Sequence, residues 1–149
     1  MIYSDTSFLC ALYIPQRNSD RAVTFVKSLA APIESTSLLF FEFRQSVHFQ
    51  VFRHEKDKNQ GYPLGIAQVA IGALQSDIKA GFYRHAAVDW ADVHRIGERL
   101  DYQYTVKGGH RSFDILHIAT ALHLGVRQFL TFDVNQKKLA EAEGLVVPL

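Results

Sequence analysis

The sequence has few of the residues that build disulfide frameworks, membrane spans or broad basic surfaces. It contains a single cysteine, Cys10, in 149 residues, so neither an intrachain disulfide nor a cysteine metal framework can form. No run approaches the roughly 18 apolar residues of a membrane helix, and the N-terminus lacks a basic signal segment. The formal net charge of +1 excludes a broad cationic face but not a local site with one or two cations. We expect a cytoplasmic protein that does not bind membranes, with Cys10 as a buried core thiol.

Strand-like segments alternate with helical segments along the chain, which we expect to fold as one domain over residues 1–149. The predicted strands are MIYSD, PIEST, FYRHAAV, VRQFLTF and LVVPL. The predicted helices are TSFLCALYI, RAVTFVKSLA, SLLFFEFRQSVHFQVF, LGIAQVAIGALQSDIKAG, DWADVHRIGERLDYQY, SFDILHIATALHLG and NQKKLAEAEG, and TVKGGHR is predicted to be a loop. This alternation predicts an α/β fold with helices on both faces of a parallel sheet.

Four acidic residues stand where predicted strands end or helices begin: Asp5, Glu42, Asp114 and Asp133. We expect them at one sheet edge, because ligands of such sheets collect at the carboxyl ends of the strands. Asp5 and Asp133 also suit helix N-caps, and the helix dipole favours Asp114, so each of these has a structural explanation. Glu42 has none, because bulky apolar residues flank it in LLFFEFRQ. Its desolvated carboxylate needs a cation or a hydrogen-bonding partner.

Carboxylates gathered in one pocket repel one another unless a divalent cation neutralises them. Carboxylate oxygens suit Mg²⁺ or Mn²⁺, which keep several waters and take few protein ligands. Such a cation polarises a phosphodiester, lowers the pKa of a bound water and stabilises the leaving oxygen. The chain also has seven histidines. They are not paired at the short spacing of a zinc-binding helix, so we reject a zinc site.

These motifs occur in the order and at the spacing of a known family. YSDTS, an isolated acid near position 40, SFDILHIATAL and FLTFDVNQKKLA together resemble the PIN-domain family over nearly the whole chain. Within that family, the sequence is most similar to the VapC-type toxins of bacterial toxin–antitoxin pairs. The resemblance implies a three-layer α/β/α sandwich and a metal-dependent endoribonuclease, a hydrolase that cleaves single-stranded or structured RNA with metal-activated water. It further implies Mg²⁺ or Mn²⁺ as cofactor, a cognate antitoxin as partner and a homodimer.

The family's functional positions can be carried over residue by residue. The resemblance implies a catalytic and metal-binding quartet made of Asp5, Glu42, Asp114 and Asp133. Ser7 and Thr131 match small hydroxyl positions that support the first and last acids. Many members carry a further acid where this chain has Asn135, a neutral acceptor. We therefore expect the quartet to be complete without it, and the number of metals stays open.

The segment VKGGHRSFD, just before Asp114, offers positive groups for the phosphates of a substrate. Lys107, His110 and Arg111 are the candidates, and two glycines would let the segment approach a ligand closely. Arg111 is our first choice for a phosphate contact, and a solvated flexible loop is the alternative interpretation. His117, one turn after Asp114, is expected to form a hydrogen bond within the helix–sheet layer instead of contacting substrate.

The long helix after the second strand is rich in phenylalanine: Phe40, Phe41, Phe43, Phe49 and Phe52. These residues point around most of the helix, so more than one of its faces must be covered. One face would meet the sheet and another a partner subunit or the antitoxin. We favour this arrangement over a base-stacking surface for RNA.

Two other classes of function compete with the enzyme. A non-catalytic PIN-like module would bind RNA or protein, but a degenerate member typically loses an acid and this quartet is complete. An α/β enzyme that forms an aspartyl phosphate fits less well, because its hydrolase form needs a second aspartate where Ser7 stands.

Overall fold

The computed structural model describes residues 1–149. The chain alternates short strands with helices. In chain order the elements are β1 (Ile2–Ser4), α1 (Thr6–Tyr13), α2 (Ser19–Lys27), β2 (Ile33–Ser35), α3 (Ser37–Lys56), α4 (Leu64–Lys79), β3 (Tyr83–His85), α5 (Trp90–Leu100), a π-helical turn (Asp101–Thr105), α6 (Val106–Gly108), α7 (Ser112–His123), β4 (Gln128–Leu130) and α8 (Val134–Ala142). No helix combines the length and the apolarity needed to cross a membrane.

The four strands form one parallel sheet in the order β3–β2–β1–β4. The chain moves from β1 to β2 and β3 in one direction and then returns to the far side of β1 for β4. Because parallel crossovers are right-handed, this reversal puts the helices after β3 on the opposite face from the earlier ones. The helix contacts agree, since α1 packs on α2, α3 and α4, while α7 packs on α5 and α8. The predicted three-layer fold with a parallel sheet is confirmed.

Between the layers lies a continuous apolar core. Large side chains with no exposed surface fill it from both faces of the sheet, including Tyr3, Phe8, Phe43, Phe129 and Ile118. The same sheet order indicates where a ligand site is expected. Strand order reverses between β1 and β4, and ligands of open parallel sheets bind in the crevice beyond the strand carboxyl ends at such a point.

The structure differs from the sequence-based prediction in two segments. The predicted last strand, LVVPL, makes only an isolated bridge between Val146 and Gln128, because Pro148 has no N–H to extend the ladder. The predicted loop TVKGGHR is largely helical, since α5 runs on through the π-helical turn into α6. Gly109 ends this extension in a left-handed conformation with φ 65°, which glycine adopts without a steric penalty.

Candidate active site

Two of the acids lie at the switch point of the sheet and cap the helices that leave it. Asp5 directly follows β1 and is the N-cap of α1, and its backbone N–H donates to the Leu130 carbonyl at 3.0 Å. Asp133 follows β4 and is the N-cap of α8. One of its oxygens accepts the N–H groups of Asn135 at 2.8 Å and Gln136 at 2.9 Å. Helix capping therefore accounts for some of the hydrogen bonds of Asp5 and Asp133. The second oxygen of Asp133 has no hydrogen bond.

Asp5 is fully enclosed, with 0% of its surface exposed. Its Oδ1 accepts from the Ser7 hydroxyl at 2.7 Å and the Phe8 N–H at 3.0 Å, and its Oδ2 accepts from the Thr131 hydroxyl at 2.6 Å. Burial raises the pKa of Asp5 to about 6, although these hydrogen bonds oppose the rise. Thr131 also accepts the N–H of Asp133 at 2.9 Å, so one hydroxyl joins two acids. Ser7 and Thr131 thus contact the acids, and their support of a metal site stays a prediction.

Glu42 finds the partner that its apolar neighbourhood demands. Its Oε2 accepts from the Thr6 hydroxyl and from Nε2 of His117, the latter at 2.6 Å. Burial raises the pKa of Glu42, but the hydrogen bond and charge of His117, together with Thr6, outweigh it and hold the pKa below its usual value. The other oxygen, Oε1, has no hydrogen bond, and 19% of the side chain is exposed. Glu42 is therefore ionised and fixed through one oxygen while the other stays available.

A buried chain of polar groups stands behind Glu42. His117 has no exposed surface, and its Nδ1 lies 3.1 Å from the Tyr3 hydroxyl, which lies 3.2 Å from the Thr36 hydroxyl. A carboxylate only accepts, so His117 Nε2 must donate to Glu42. Burial raises the pKa of Tyr3 far above its usual value, which keeps its proton in place. The expected internal hydrogen bond of His117 is present, and it orients a site carboxylate.

Asp114 is linked to Asp133 through Gln136. Asp114 Oδ2 accepts the backbone N–H of Arg111 at 3.2 Å, and its Oδ1 lies 3.4 Å from the Gln136 side-chain amide nitrogen. The Gln136 backbone N–H donates to Asp133, as described above. The side-chain oxygen of Gln136 is buried and has no hydrogen-bond partner. A buried acceptor without a donor is uncommon, and this one lies beside two acids.

These residues fit a hard divalent cation held in an open site. No three or more His, Cys, Asp or Glu side chains converge closely enough to hold a metal ion by themselves. Mg²⁺ commonly takes one or two carboxylates and keeps several waters, so it does not require such a cage. The free oxygens of Glu42 and Asp133 and the unpartnered oxygen of Gln136 are donors of the type that Mg²⁺ and Mn²⁺ prefer. That all four acids are direct ligands stays a prediction.

The predicted substrate-binding residues have different surroundings. Arg111 lines a cavity of about 480 Å³ together with Glu42 and Asp114. Its Nε lies 3.6 Å from Asp114, and its side chain is 84% exposed. His110 lines an adjoining cavity of about 600 Å³ that shares Arg111. Lys107 is exposed on α6. Arg111 thus shares a cavity with two of the acids, and the roles of Arg111, His110 and Lys107 in binding substrate stay predictions.

Three residues of the site were not expected from the sequence: Tyr3, Thr6 and Gln136. Tyr3 could have been found from its alternation with Asp5, because side chains two apart in a strand share a face. Thr6 lies in the first turn of the helix that Asp5 caps, close to the acids by chain connectivity alone. The contact of Gln136 with Asp114 joins the consecutive helices α7 and α8 across β4, and no local pattern signals it.

Comparison with known proteins agrees with the fold. A family model described as the PIN domain matches residues 2–142. The fold is similar to VapC20 of Mycobacterium tuberculosis, described as a sarcin–ricin loop cleaving toxin, with TM-score 0.62 and 17% identity over 98% of this chain and 97% of that one. It is also similar to FitAcB from Neisseria gonorrhoeae, with TM-score 0.60 and 19% identity over 99% of this chain and 96% of that one. No curated protein sequence matches significantly. The family match over nearly the whole chain, with this fold, shows that the protein belongs to the PIN-domain family.

Proposed function

We propose that the protein is a Mg²⁺- or Mn²⁺-dependent endoribonuclease and the toxin of a toxin–antitoxin pair. The observation that carries this proposal is the set of four hydrogen-bonded acids around the switch point of a PIN fold, of which Glu42 and Asp133 each keep one free oxygen. The similarity in fold to a toxin described as cleaving the sarcin–ricin loop supports RNA as the substrate class. An RNA substrate would place the activity in the cytoplasm.

The chain's own residues would bind and orient the RNA. A divalent cation held by the carboxylates would supply an activated water and neutralise charge on the phosphodiester. Arg111, exposed and in the same cavity as Glu42 and Asp114, would bind a phosphate oxygen. His117 and Thr6 hold Glu42 in one orientation. Its free oxygen would therefore need little reorganisation when the cation binds. Attack of water oxygen on phosphorus would break the bond to the 3′ oxygen, which leaves a 3′-hydroxyl and a 5′-phosphate.

Cleavage is expected to require both the metal and Asp114. Purified protein, freed of antitoxin, should cleave labelled single-stranded RNA in Mg²⁺ or Mn²⁺ and should be inactive in EDTA. Asp114→Asn should lower kcat/KM at least about a hundredfold, because a neutral amide is a poor ligand for a hard cation. The measurement is the rate of product formation on denaturing gels.

Glu141→Gln is the matched control, because it removes an exposed carboxylate of α8 away from the site. It should cleave at the wild-type rate. Cleavage that persists in EDTA or in Asp114→Asn would contradict the carboxylate–metal mechanism. If the wild-type protein cleaves no RNA tested, the alternative of a non-catalytic RNA- or protein-binding PIN module is favoured.

Exposed apolar side chains on the hairpin of α3 and α4 support a protein partner. Phe40 and Phe43 are buried, whereas Phe41, Phe49 and Phe52 are 58%, 50% and 53% exposed. The rings of Phe49 and Phe52 stack on each other at 6.0 Å, and α4 exposes Leu64, Ile66 and Val69 as well. Large apolar groups exposed on adjacent helices are typical of protein interfaces. We propose that they contact a second copy of the chain or the antitoxin.

Replacing Phe49 and Phe52 together by Gln should weaken one of these associations. The wild-type protein is expected to have a dimer mass in light scattering, alone or with co-expressed antitoxin. The Phe49→Gln/Phe52→Gln variant should shift towards the monomer mass or lose the antitoxin. Tyr102→Gln, which changes an aromatic residue that is 88% exposed on another element, is the control. A variant with unchanged mass and unchanged antitoxin binding would exclude this surface as an interface.

A further inference from the structure

A second group of positive side chains borders Asp133, in a cavity that shares no residue with the one that Arg111 and Glu42 line. A cavity of about 500 Å³ is lined by Arg17, Arg21 and Lys137 and also by Thr131 and Asp133. Here it is called the basic cavity. Its size lies within the range of roughly 300–1,000 Å³ that small-ligand sites occupy. Because Thr131 and Asp133 belong to its wall, a molecule bound there would touch the acidic site.

The two arginines of the basic cavity have no acidic partners, whereas Lys137 donates to the Leu149 oxygen at 2.8 Å. Neither Arg17 nor Arg21 lies within 4.0 Å of an Asp or Glu oxygen. In contrast, four other arginines each pair with a carboxylate: Arg84, Arg95, Arg99 and Arg111. The whole chain has a net charge of only +1, so this concentration of positive charge does not reflect a general excess. Unpaired cations that line one concave site focus a positive potential, which attracts anions such as phosphates.

The backbone of α2 and an aromatic ring also favour anion binding in the basic cavity. Helix α2 begins at the cavity, and its N-cap, Asn18, makes no side-chain capping hydrogen bond. The positive end of the helix dipole therefore has no side-chain cap at the cavity, although Asp20 in the first turn offsets part of its charge. The Arg21 guanidinium stacks over the Phe132 ring, with Cζ 5.3 Å from the ring centroid. This stacking orients the guanidinium without consuming its hydrogen-bond donors.

The basic cavity is connected to the acids by two hydrogen bonds. The backbone N–H of Phe132 donates to the Ser7 hydroxyl at 2.8 Å, and that hydroxyl donates to Asp5 at 2.7 Å. Arg21 is thus positioned by a residue whose backbone is fixed to the buried acid. In a separate cavity, Arg111 lies with Glu42 and Asp114. Cations consequently line two separate cavities, and each of these cavities contains acids of the site.

We propose that the basic cavity is a second phosphate subsite, which binds the backbone of the RNA strand next to the phosphate that is cleaved. The inference rests on the nuclease function proposed above. It requires the strand to cross the acids between Arg111 on one side and Arg17 and Arg21 on the other. Recognition is of the phosphate backbone, so the subsite contributes affinity and position and does not read base sequence.

The test is RNA binding by an Arg17→Gln/Arg21→Gln variant in EDTA, where no cleavage occurs. Fluorescence anisotropy with labelled single-stranded RNA should show affinity roughly tenfold weaker than wild type. The slope of log K against log salt should fall in magnitude by about 0.7 to 1.4, since each phosphate contact in a single strand contributes about 0.7. In Mg²⁺, KM should rise while kcat stays near the wild-type value, which a structural defect would not produce.

Two further variants control for charge and for folding. Arg127→Gln/Lys79→Gln removes two exposed positive charges elsewhere and should bind RNA nearly as wild type does. Arg21→Lys keeps the charge and should retain most of the affinity. If Arg17→Gln/Arg21→Gln binds as the control does, or if it only lowers the unfolding temperature, the cations merely offset the charge of the acids and the subsite is refuted.

Failure of the subsite and failure of the nuclease function give different results. Wild-type cleavage with an unaffected Arg17→Gln/Arg21→Gln variant refutes the subsite alone. RNA binding that depends on these arginines, without any cleavage in Mg²⁺ or Mn²⁺, refutes the nuclease function and leaves the subsite. If the wild-type protein does not bind RNA in EDTA, the subsite is overturned.

Discussion

Replacing Asp5 by asparagine is expected to abolish RNA cleavage and, at neutral pH, to stabilise the metal-free protein. Asp5 has no exposed surface, and burial raises its pKa from the ordinary value of 3.8 to about 6. The folded protein therefore holds this proton to higher pH than the unfolded chain does. The free energy of unfolding that Asp5 contributes falls as pH rises from about 4 to about 6, by about 3 kcal/mol in all. The neutral amide introduced by Asp5→Asn does not titrate, so the variant avoids this pH-dependent decrease in the free energy of unfolding. Its side-chain oxygen can still accept the Phe8 N–H.

The measurement is thermal unfolding in EDTA between pH 4 and pH 8, together with cleavage in Mg²⁺. Between pH 4 and pH 6, the unfolding temperature of the wild type should decline relative to that of Asp5→Asn, which should be the more stable at pH 7.5. Asp133→Asn is the matched control, because its side chain is partly exposed and asparagine caps helices as well as aspartate. It should lose activity without gaining stability. A lower unfolding temperature for Asp5→Asn at pH 7.5 would contradict the buried-charge argument, and an active Asp5→Asn would remove the residue from the site.

This opposition between stability and activity explains why a carboxylate ends a buried strand. An apolar or neutral residue at position 5 would cost the fold less, and the cap alone could be supplied by asparagine or serine. The surrounding hydroxyls of Ser7 and Thr131 reduce the cost of the charge without removing it. Retention of a costly buried charge is typical of functional sites.

The parts of the site that follow from local pattern were predictable from the sequence. Asp5 and Asp133 follow short apolar strands, and the parallel topology brings strand ends to one edge, so both could be placed. The need of Glu42 for a partner was also predictable from its apolar flanks. The identity of that partner was not, because His117 lies 75 positions away and only tertiary packing brings the two together.

Prediction of the fold from the sequence was likewise least accurate in the less regular segments. Strand and helix alternation predicted the sheet, but the stretch before Arg111 was expected to be a loop because it contains two adjacent glycines. The helical conformation there continues from α5 through a π-helical turn, a type of irregularity that occurs often near functional sites. Only Gly109 uses the left-handed region, so the first glycine gave a false stop signal. The consequence is that Arg111 enters the site from a helix end and not from a long flexible loop.

Removing the His117 side chain is expected to impair both the fold and the site, and the two effects can be separated. His117→Ala removes one of two hydrogen-bond partners from the ionised Glu42 and one of two from the buried Tyr3 hydroxyl, because only Thr6 and Thr36 remain. The loss of these two hydrogen bonds should lower the free energy of unfolding by about 3 kcal/mol. It should also lower kcat by roughly 10- to 100-fold, since groups that orient metal-binding carboxylates have effects of this size. The Mg²⁺ concentration for half-maximal activity should rise, while KM for RNA stays near the wild-type value. Chemical denaturation and metal titrations of the cleavage rate measure these effects.

A double-mutant cycle with Glu42→Gln tests whether the loss passes through Glu42. If His117 acts by orienting that carboxylate, the two substitutions should be far from additive, with a coupling of about 1–3 kcal/mol in stability and little further loss of activity in the double variant. His48→Ala, an exposed histidine of α3, should change neither property. If His117→Ala is less stable but keeps its metal dependence and its kcat, the histidine is a core residue only. Because His117 contacts both Tyr3 in β1 and Glu42 in α3, the cycle separates the contribution of its contact with the carboxylate from that of its contact with the strand.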